Sequence, residues 1–266
     1  MNELISVVIP NYNSALYIVK TLDSVLGQTY RDFEIIIVDD RSTDASVKII
    51  KKYIKKNPDI AISLICLNRN YGMPAGPRNI GVKNSNGKWI AFLDADDIWH
   101  PSKLEFQVLA INRKNSSFCS TKMIDFKDDS DIVFDSMPSV SVSNITFRQQ
   151  LLKNRVPTSS VLVKKELMLK FKFNESKEYK AQEDGDCWMK IHENIDYSIK
   201  LNNNLLFYRL IEGQISGNKF KMMMKNYMVL EKYRFNDGSK IGLSRFYYFV
   251  TQILLAIYYR LIKKTL

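Results

Sequence analysis

The sequence contains few of the residues from which many functional sites are built. Among its 266 residues are three cysteines, which form no Cys-x-x-Cys pair, and two histidines. These counts argue against a disulfide framework and against a cysteine-rich zinc site. The patterns Gly-x-Gly-x-x-Gly and Gly-x-x-x-x-Gly-Lys-[Ser/Thr] are also absent, which argues against dinucleotide and P-loop sites. Phosphates would therefore have to be held by a metal ion and by side chains.

The sequence also has no apolar segment of membrane-spanning length, and its acidic residues are outnumbered by basic ones. The C-terminal apolar stretch at 246–259 is interrupted by Thr251 and Gln252, and it is shorter than the roughly 20 residues of a membrane span. The N terminus has no basic region and no cleavable apolar segment, so we expect a cytoplasmic protein. Lysine and arginine number 39 against 28 aspartates and glutamates, a net charge of +11. This excess favours an anionic partner, such as nucleic acid, anionic lipid or a phosphorylated substrate.

Apolar runs that suit buried parallel strands alternate with segments of helical periodicity in the first half of the chain. We predict strands at 4–10, 33–38, 61–67 and 88–93, and helices at 14–26, 42–54, 79–86 and 101–109. Asn13 or Ser14 is expected to cap the first helix. This alternation predicts an α/β fold with a mostly parallel central sheet and helices on both faces, whose ligand lies at the carboxyl ends of the strands.

The second half of the chain shows a less regular pattern. A strand at 118–124 precedes a polar, turn-rich segment at 125–144, which we interpret as a connection or mobile loop. Beyond it we predict helices at 145–153 and 183–193 and strands at 160–163, 197–201 and 205–209. With 45% hydrophobic residues, the chain is expected to form one large domain or a domain with an appendage.

Three carboxylates follow the predicted strand at 88–93, in the sequence Asp-Ala-Asp-Asp at 94–97. Side chains alternate along extended backbone, so Asp94 and Asp96 can point the same way and bind Mg²⁺ or Mn²⁺. Asp-x-Asp also occurs at 129–131, in a polar stretch, and at 184–186, where a helix is predicted to begin. Its position behind a buried strand favours the segment at 94–97 as the metal site.

Polar segments also follow the first two predicted strands, at 10–13 and 39–42. In a parallel sheet these segments and residues 94–97 would share one edge. An aromatic ring with carboxylates at such an edge can hold a base by stacking and a ribose by accepting its hydroxyl donors. The alternative for Asp39 and Asp40 is an ordinary helix-capping turn.

The order and spacing of these segments resemble the motif series of the inverting family-two glycosyltransferases, which have the GT-A fold, a Rossmann-like fold. The resemblance is carried over residues 1–110 by segments 6–13, 38–44, 78–81 with Gly72, and 92–97. It continues more weakly through Glu183-Asp184 and the residues up to Trp188, and through Tyr208-Arg209. The resemblance implies a nucleotide-sugar-binding half at 1–124, an acceptor-binding and catalytic-base half at 125–236, and a C-terminal helix at 237–266.

The resemblance also implies roles for individual residues at the donor site. Pro10, Tyr12 and Asp40 would line a pocket for uracil. Asp39 would support that loop or reach the ribose. Arg78 would face the diphosphate.

The resemblance further assigns the metal and the base. Asp94 and Asp96 would hold the metal, Mn²⁺ or Mg²⁺, together with the donor, whereas Asp97 is either a further ligand or the cap of the following helix. Asp184 would be the general base, since a helix N-terminus favours an ionised carboxylate. The alternative for this position is a plain acidic first turn. Many relatives carry a histidine where this sequence has Ile211, which cannot bind metal or diphosphate.

Four large or titratable side chains near these motifs have simpler interpretations. His100 and His192 are expected to be structural or solvated rather than metal ligands. Trp99 and Trp188 lie beside acidic motifs and could form apolar walls for sugar rings, although packing in the core is the commoner role of tryptophan.

The activity implied by the resemblance is transfer of glucose or galactose from a UDP-sugar, with inversion, to N-acetylhexosamine on undecaprenyl diphosphate. A β-1,3 linkage in O-antigen or polysaccharide biosynthesis is expected. Two alternatives come from other classes of protein. A sugar-1-phosphate nucleotidyltransferase would need a glycine-rich loop after the first strand, which is absent. A nucleic-acid-binding protein would explain the charge but not the acidic strand ends, which repel phosphate, so nucleic acid is not an expected partner.

The C-terminal segment suggests where such an enzyme would work. Residues 240–266 contain five basic residues and no acidic one, interleaved with aromatic residues. This composition predicts a helix that lies on an anionic membrane surface. Together with the lipid-linked acceptor that the resemblance implies, it leads us to expect a peripheral protein at the cytoplasmic face of the bacterial inner membrane. The alternative is a terminal helix packed on the domain.

Overall fold

The computed structural model describes residues 3–134, 140–211 and 219–261. Within them, strands β1 to β9 are Ile5–Asn11, Phe33–Asp39, Ile62–Cys66, Trp89–Phe92, Ile98–Trp99, Phe118–Phe126, Val142–Ile145, Leu162–Lys164 and Ser198–Arg209. Helices α1 to α9 are Ile18–Leu26, Ser46–Lys56, Ala75–Lys83, Lys103–Lys114, Phe147–Leu152, Lys165–Lys170, Glu183–Glu193, Lys219–Lys232 and Ser244–Leu261.

All of these strands belong to one sheet, in the order β3-β2-β1-β4-β8-β6-β9-β5, with β7 also paired to β9. Strands β1 to β4 are mutually parallel, as the alternating pattern predicts. Strand β6 also pairs parallel with β9. The prediction of a mostly parallel sheet is nevertheless wrong, because β8 pairs antiparallel with both β4 and β6, and β5 and β7 pair antiparallel with β9. The sheet is therefore mixed.

The apolar residues of β1 explain why the sheet is covered on both faces. Ile5, Val7 and Ile9 belong to one buried cluster with α1, whereas Val8 belongs to a second cluster. Helix α3 approaches β1 so closely that a Cβ added to Gly81 would lie 2.4 Å from a methyl group of Val8. A β-strand with apolar side chains on both faces is typical of a buried parallel sheet.

Several predicted element boundaries differ from the structure. The segment 125–144 is not only a connection, because β6 runs on to Phe126 and β7 begins at Val142. The predicted strands at 197–201 and 205–209 form the single strand β9. A bulge in the pairing with β6, next to Lys122, lets β9 continue through the polar residues between the two predicted segments. The β6 strand also crosses the boundary predicted at residue 124, and the division into two halves stays a prediction.

The first helix is not capped by Asn13 or Ser14, which corrects the sequence prediction. Helix α1 begins at Ile18, and Tyr17 precedes it without a side-chain cap. The side-chain oxygen of Asn13 instead accepts a hydrogen bond from the backbone N–H of Thr43 at 2.8 Å, and the Ser14 hydroxyl donates to the side chain of Asn11. The Asn13 contact joins the loop after β1 to the loop after β2.

The C-terminal helices pack on the second half of the domain. Leu151 of α5 and Met189 of α7 form a buried cluster with residues of α8, and Phe249 of α9 packs against this cluster. The Gln252 side chain donates a hydrogen bond to the Leu151 carbonyl at 2.8 Å. The alternative of a packed terminal helix is therefore correct for this face of α9. Among the helices described here, none has both the length and the apolar character needed to cross a bilayer.

Candidate active site

The three polar segments predicted to meet at one sheet edge do so. Strands β2, β1 and β4 are adjacent and parallel, and Asn11 at the end of β1 pairs with Asp39 at the end of β2. Leu93, just after β4, donates its N–H to Val8 of β1 at 3.2 Å. The loops that carry Tyr12, Asp40 and Asp94 therefore leave the sheet side by side, as the strand order requires.

Asp39 supports the loop at this edge. Its side chain is buried and accepts hydrogen bonds from the Asn11 amide at 2.6 Å, the Ser42 N–H at 2.9 Å and the Ser42 hydroxyl at 2.6 Å. Of the two roles implied for Asp39, the structure shows the contacts needed for loop support.

Asp40 lies deeper than a surface capping residue would. Its two carboxylate oxygens accept the backbone N–H groups of Tyr71 at 2.8 Å and Gly72 at 3.2 Å, and burial raises the pKa of this carboxyl. Because each carboxylate oxygen has two acceptor sites, Asp40 can still accept a further donor. Tyr12 at the same sheet edge is 52% exposed, so its ring is accessible for stacking.

The turn at 94–97 is held from several sides. The Thr21 hydroxyl lies 3.0 Å from the carbonyl oxygens of both Ala95 and Asp97. Asp97 is fully buried, and its carboxylate accepts the backbone N–H of Arg209 at 3.0 Å. Asp97 is thus placed to fix the turn to the end of β9 rather than to face a ligand.

Arg209 fixes the same turn through its side chain, a contact that sequence reasoning missed. Its guanidinium Nε donates to the Asp96 carbonyl at 2.9 Å, and another guanidinium nitrogen contacts Asp129 at 2.7 Å. The guanidinium lies over the rings of Tyr17 and Phe126, 4.9 and 4.4 Å from their centroids. The second Asp-x-Asp segment is therefore used to hold an arginine. The sequence signal for this contact is the Tyr208-Arg209 pair, whose resemblance to the family motif implies no specific role.

Asp94 and Asp96 remain as the two carboxylates that can take a cation. Burial and the negative charge of Asp94 raise the pKa of Asp96 to about 6. Keeping both carboxylates ionised therefore costs free energy unless a positive charge lies close to them. In the part of the chain that the structure describes, no group of three or more His, Cys, Asp or Glu side chains could hold a metal. Two carboxylates nevertheless fit Mg²⁺ or Mn²⁺, since such ions commonly take one or two carboxylates together with substrate phosphates and water.

Arg78 lies between this carboxylate pair and the predicted base. It is buried, and its guanidinium contacts Asp94 at 2.6 Å and Glu183 at 3.7 Å. Its Nε has no hydrogen-bond partner among the described residues, and neither does one carboxylate oxygen of Glu183. Arg78 is therefore a positive charge in contact with both the donor side of the site, at Asp94, and the start of α7, at Glu183.

The two aspartates at the start of α7 have different surroundings. Asp184 is half-buried, and its carboxylate accepts the Thr158 hydroxyl at 3.3 Å and the Gly185 N–H at 2.7 Å. Burial raises the pKa of Asp184, and the positive charge of Arg78 opposes that rise. Asp186 is only 2% exposed and contacts Lys190 at 2.6 Å. The geometry thus leaves Asp184 as the more accessible proton acceptor of the two.

A short turn at Thr158–Ser160 connects the metal side with the base side, and no sequence signal indicated it. The Ser159 hydroxyl accepts the backbone N–H of Asp94 at 3.1 Å. Thr158, the preceding residue, contacts Asp184 as described above. The Ser159 carbonyl accepts the Trp99 indole N–H at 2.7 Å.

Both tryptophans beside the acidic motifs belong to the core, so the idea that they form sugar-binding walls is wrong. Trp99 and Trp188 have no exposed surface, and Trp188 packs 5.3 Å from the ring of Phe118. His192 is buried and contacts the Trp188 carbonyl and the Ser198 hydroxyl, and His100 is buried too. The interpretation of both histidines as structural is confirmed.

Comparison with known proteins agrees with this arrangement. The family model described as "Glycosyl transferase family 2" matches residues 6–175. The protein WfaP of Escherichia coli, named UDP-Glc:alpha-D-GlcNAc-diphosphoundecaprenol beta-1,3-glucosyltransferase, is 31% identical over 256 residues, which cover 95% of each chain.

Solved structures share the fold at lower sequence identity. The S. aureus protein TarS, residues 1–349 in complex with UDP-GlcNAc, has a TM-score of 0.69 and 22% identity over 98% of this chain and 74% of TarS. The mannosyltransferase PcManGT of Pyrobaculum calidifontis, in complex with GDP-Man and Mn²⁺, has a TM-score of 0.67 and 18% identity over 97% of this chain and 75% of PcManGT. The fold is thus GT-A-like, and the chain belongs to glycosyl transferase family 2.

Proposed function

We propose that the protein transfers a hexose, glucose or galactose, from a UDP-sugar to N-acetylhexosamine on a lipid diphosphate, with inversion and in β-1,3 linkage. The observation that carries this proposal is the array of carboxylates Asp40, Asp94 and Asp96 at one sheet edge. Arg78 contacts both Asp94 of this array and Glu183, the residue before Asp184. The name of WfaP, which is similar over nearly its whole length, supports glucose as the hexose and GlcNAc as the acceptor sugar. O-antigen or polysaccharide biosynthesis is the matching process.

The donor would bind at the carboxyl ends of β1, β2 and β4. The exposed ring of Tyr12 would stack on uracil beside Pro10, and Asp40 would accept a donor group of the base, since its carboxylate retains acceptor sites. Asp39 keeps this loop in place. Asp94 and Asp96 would hold Mn²⁺ or Mg²⁺, which when bound neutralises charge on the departing diphosphate.

The acceptor would be activated from the other side of the site. Asp184 would remove the proton of the attacking hydroxyl as the new glycosidic bond forms and the bond to the diphosphate breaks. Arg78 would keep charge balanced between the carboxylates of the two sides. Because one displacement occurs at the anomeric carbon, an α-linked donor would give a β-linked product.

A panel of UDP-sugars and a synthetic acceptor would test this function. The purified protein is incubated with Mn²⁺, each UDP-sugar and a short-chain GlcNAc-diphosphate lipid, and the products are separated by mass. We expect turnover with UDP-glucose or UDP-galactose, and none with GDP-mannose as the control donor. Two results would contradict the proposal: activity with GDP-mannose but with none of the UDP-sugars, and no activity with any of the sugar nucleotides.

A membrane-facing role of α9 is part of the same proposal. The face of α9 that does not pack on the domain carries Tyr247, Val250 and Leu254, which with Leu243 form an apolar stripe with exposures of 51% to 80%. The spacing of these residues places them on one side of the helix. An exposed apolar stripe on a strongly basic protein supports insertion into an anionic membrane surface at the cytoplasmic face of the inner membrane.

Substitutions in the apolar stripe would test membrane binding without disturbing the packed face. Changing Tyr247, Val250 and Leu254 together to serine should lower partition into vesicles of anionic phospholipid at least about tenfold, because three large apolar side chains would no longer insert into the membrane. The melting temperature should not fall. The control changes three other exposed apolar residues, Val133, Leu109 and Leu169, to serine. Equal loss of vesicle binding in both triple variants would contradict a specific role of the stripe.

A further inference from the structure

The turn at Thr158–Ser160 lies between the two sides of the candidate active site and is held by the core. All three of its residues are buried. The Ser159 carbonyl accepts the indole N–H of Trp99 at 2.7 Å. The Ser160 carbonyl accepts the side-chain amide of Gln107 at 2.9 Å. Strand β5 and helix α4 therefore hold two successive carbonyl groups of the turn in place.

A fully buried lysine sets the orientation of the Gln107 side chain. Lys103 has no exposed surface, and its amine donates a hydrogen bond to the side-chain oxygen of Gln107 at 2.8 Å. The same amine lies 3.9 Å from the centroid of the Trp99 ring. Because the oxygen of Gln107 accepts from Lys103, its NH₂ group is directed to the Ser160 carbonyl. The buried amine thus contacts both side chains that hold the turn.

From this position, two neighbouring hydroxyls reach different sides of the site. The Thr158 hydroxyl donates to one carboxylate oxygen of Asp184 at 3.3 Å, and the other oxygen accepts the Gly185 N–H at 2.7 Å. The Ser159 hydroxyl accepts the backbone N–H of Asp94 at 3.1 Å. One donor on each oxygen fixes the plane of the Asp184 carboxylate. Since each oxygen has two acceptor sites, the carboxylate can still take a proton from a further hydroxyl.

We propose that this turn positions the two sides of the active site relative to each other, with Thr158 orienting the carboxylate of Asp184 and Ser159 holding the backbone of Asp94. The inference rests on the proposed function, in which Asp184 is the base and Asp94 a metal ligand. Both are positioning residues, because each acts through the aspartate that it contacts. Reacting atoms must be held about 3–3.5 Å apart in a productive geometry. A fixed relation between base and metal side therefore contributes to the rate.

Replacing Thr158 by valine tests the base side, because valine keeps the branched shape and lacks the hydroxyl. We expect kcat to fall about tenfold, since the base is no longer held in its productive orientation. A hydrogen bond donated to a carboxylate stabilises its charged form. Its loss should therefore move the acid limb of the kcat/KM pH profile to higher pH. Thr158→Ser, which keeps the hydroxyl, should restore both quantities.

The matched control is Thr29→Val, on the segment after α1. The Thr29 hydroxyl also donates to a carboxylate, that of Glu105 at 2.6 Å, so this variant loses the same kind of hydrogen bond outside the site. It should have the wild-type kcat and pH profile. If Thr158→Val also kept both, Thr158 would not orient the base.

The charges around Asp184 are the same in all of these proteins. The titratable groups that act on it are Arg78 on α3, Asp94 after β4, and Glu183 and Cys187 on α7. None of them is changed by the substitutions at position 158. A shift of the acid limb therefore reports the lost hydroxyl rather than a lost charge.

Replacing Ser159 by alanine tests the metal side. Calorimetric titration of Mn²⁺ in the presence of UDP should show about fivefold weaker binding, as expected for loss of one neutral hydrogen bond. The acid limb should stay where it is in the wild type. Thr158→Val should instead bind Mn²⁺ and UDP normally. If both variants lost Mn²⁺ binding and kcat alike, the turn would have only a structural role, and the inference would be overturned.

An NMR titration separates this inference from the proposed function. The aspartate carboxyl carbons are labelled with ¹³C, and the signal of Asp184 is identified by its absence from Asp184→Asn. We expect the pKa of Asp184 to be higher in Thr158→Val than in the wild type, Thr158→Ser and Thr29→Val. No substrate is present, so this result would stand even if no glycosyl transfer were found. The same pKa in all four proteins would overturn the assignment of Thr158.

Discussion

Replacing Asp184 by asparagine should lower kcat by about 10²-fold to 10⁴-fold, the usual contribution of a general base. The amide keeps the size of the carboxylate and can still accept the Thr158 hydroxyl, which lies 3.3 Å from Asp184. Affinity for UDP, measured by calorimetry, should therefore be unchanged, because the base acts only in the transition state. The measurement is a steady-state rate with the diphosphate acceptor, with protein folding checked by circular dichroism.

The neighbouring aspartate provides the control for this prediction. Asp186 is 2% exposed and is paired with Lys190 at 2.6 Å, so Asp186→Asn should lower the melting temperature while kcat of the folded protein changes less than about tenfold. If Asp186→Asn were inactive while folded and Asp184→Asn remained active, the two roles would have to be exchanged.

Replacing Asp96 by alanine should abolish measurable turnover without weakening the fold. Burial and the charge of Asp94 raise the pKa of Asp96 to about 6, so removal of this carboxylate relieves repulsion. The unfolding free energy should accordingly be equal to or above that of the wild type. Calorimetric titration of Mn²⁺ in the presence of UDP should show at least about tenfold weaker binding, because one of two carboxylate ligands is lost.

Two further experiments test the metal site: removal of the metal from the wild type with EDTA, and a control substitution of a carboxylate away from the site. Excess EDTA should stop the wild-type reaction, and added Mn²⁺ or Mg²⁺ should restore it. Asp125→Ala, which removes an exposed carboxylate of β6, should leave both turnover and metal binding unchanged. Full turnover in excess EDTA would show that the Asp94 and Asp96 pair does not serve a metal.

The donor side of the site could be anticipated from sequence because it depends on local patterns. Strands β1, β2 and β4 each appear as apolar runs, and each run is followed directly by polar residues. In a parallel sheet, strand direction alone then brings Tyr12, Asp40 and Asp94 to one edge. The resemblance to a known motif series added what spacing could not supply, namely the assignment of Asp184 as base.

The rest of the site depends on contacts between segments that are far apart in the sequence. Asp97 accepts the N–H of Arg209, which is 112 residues away, and the buried Asp97 and Ser159 show no local pattern that distinguishes them from ordinary turn residues. The mixed direction of β8 and β5 also depends on how long connections return to the sheet, which periodicity does not encode. The residues that we propose to bind the donor and the metal could therefore be predicted from sequence, whereas the residues that hold their loops in place could not.

The anomeric configuration of the product tests the central claim most directly. The purified protein is supplied with UDP-glucose, or with UDP-galactose if the donor panel selects it, and with the GlcNAc-diphosphate acceptor. The anomeric proton coupling of the new linkage is then measured by NMR. A single displacement assisted by Asp184 predicts a β-linked product from the α-linked donor. An α-linked product would contradict the inverting mechanism, even if every residue of the donor site were assigned correctly.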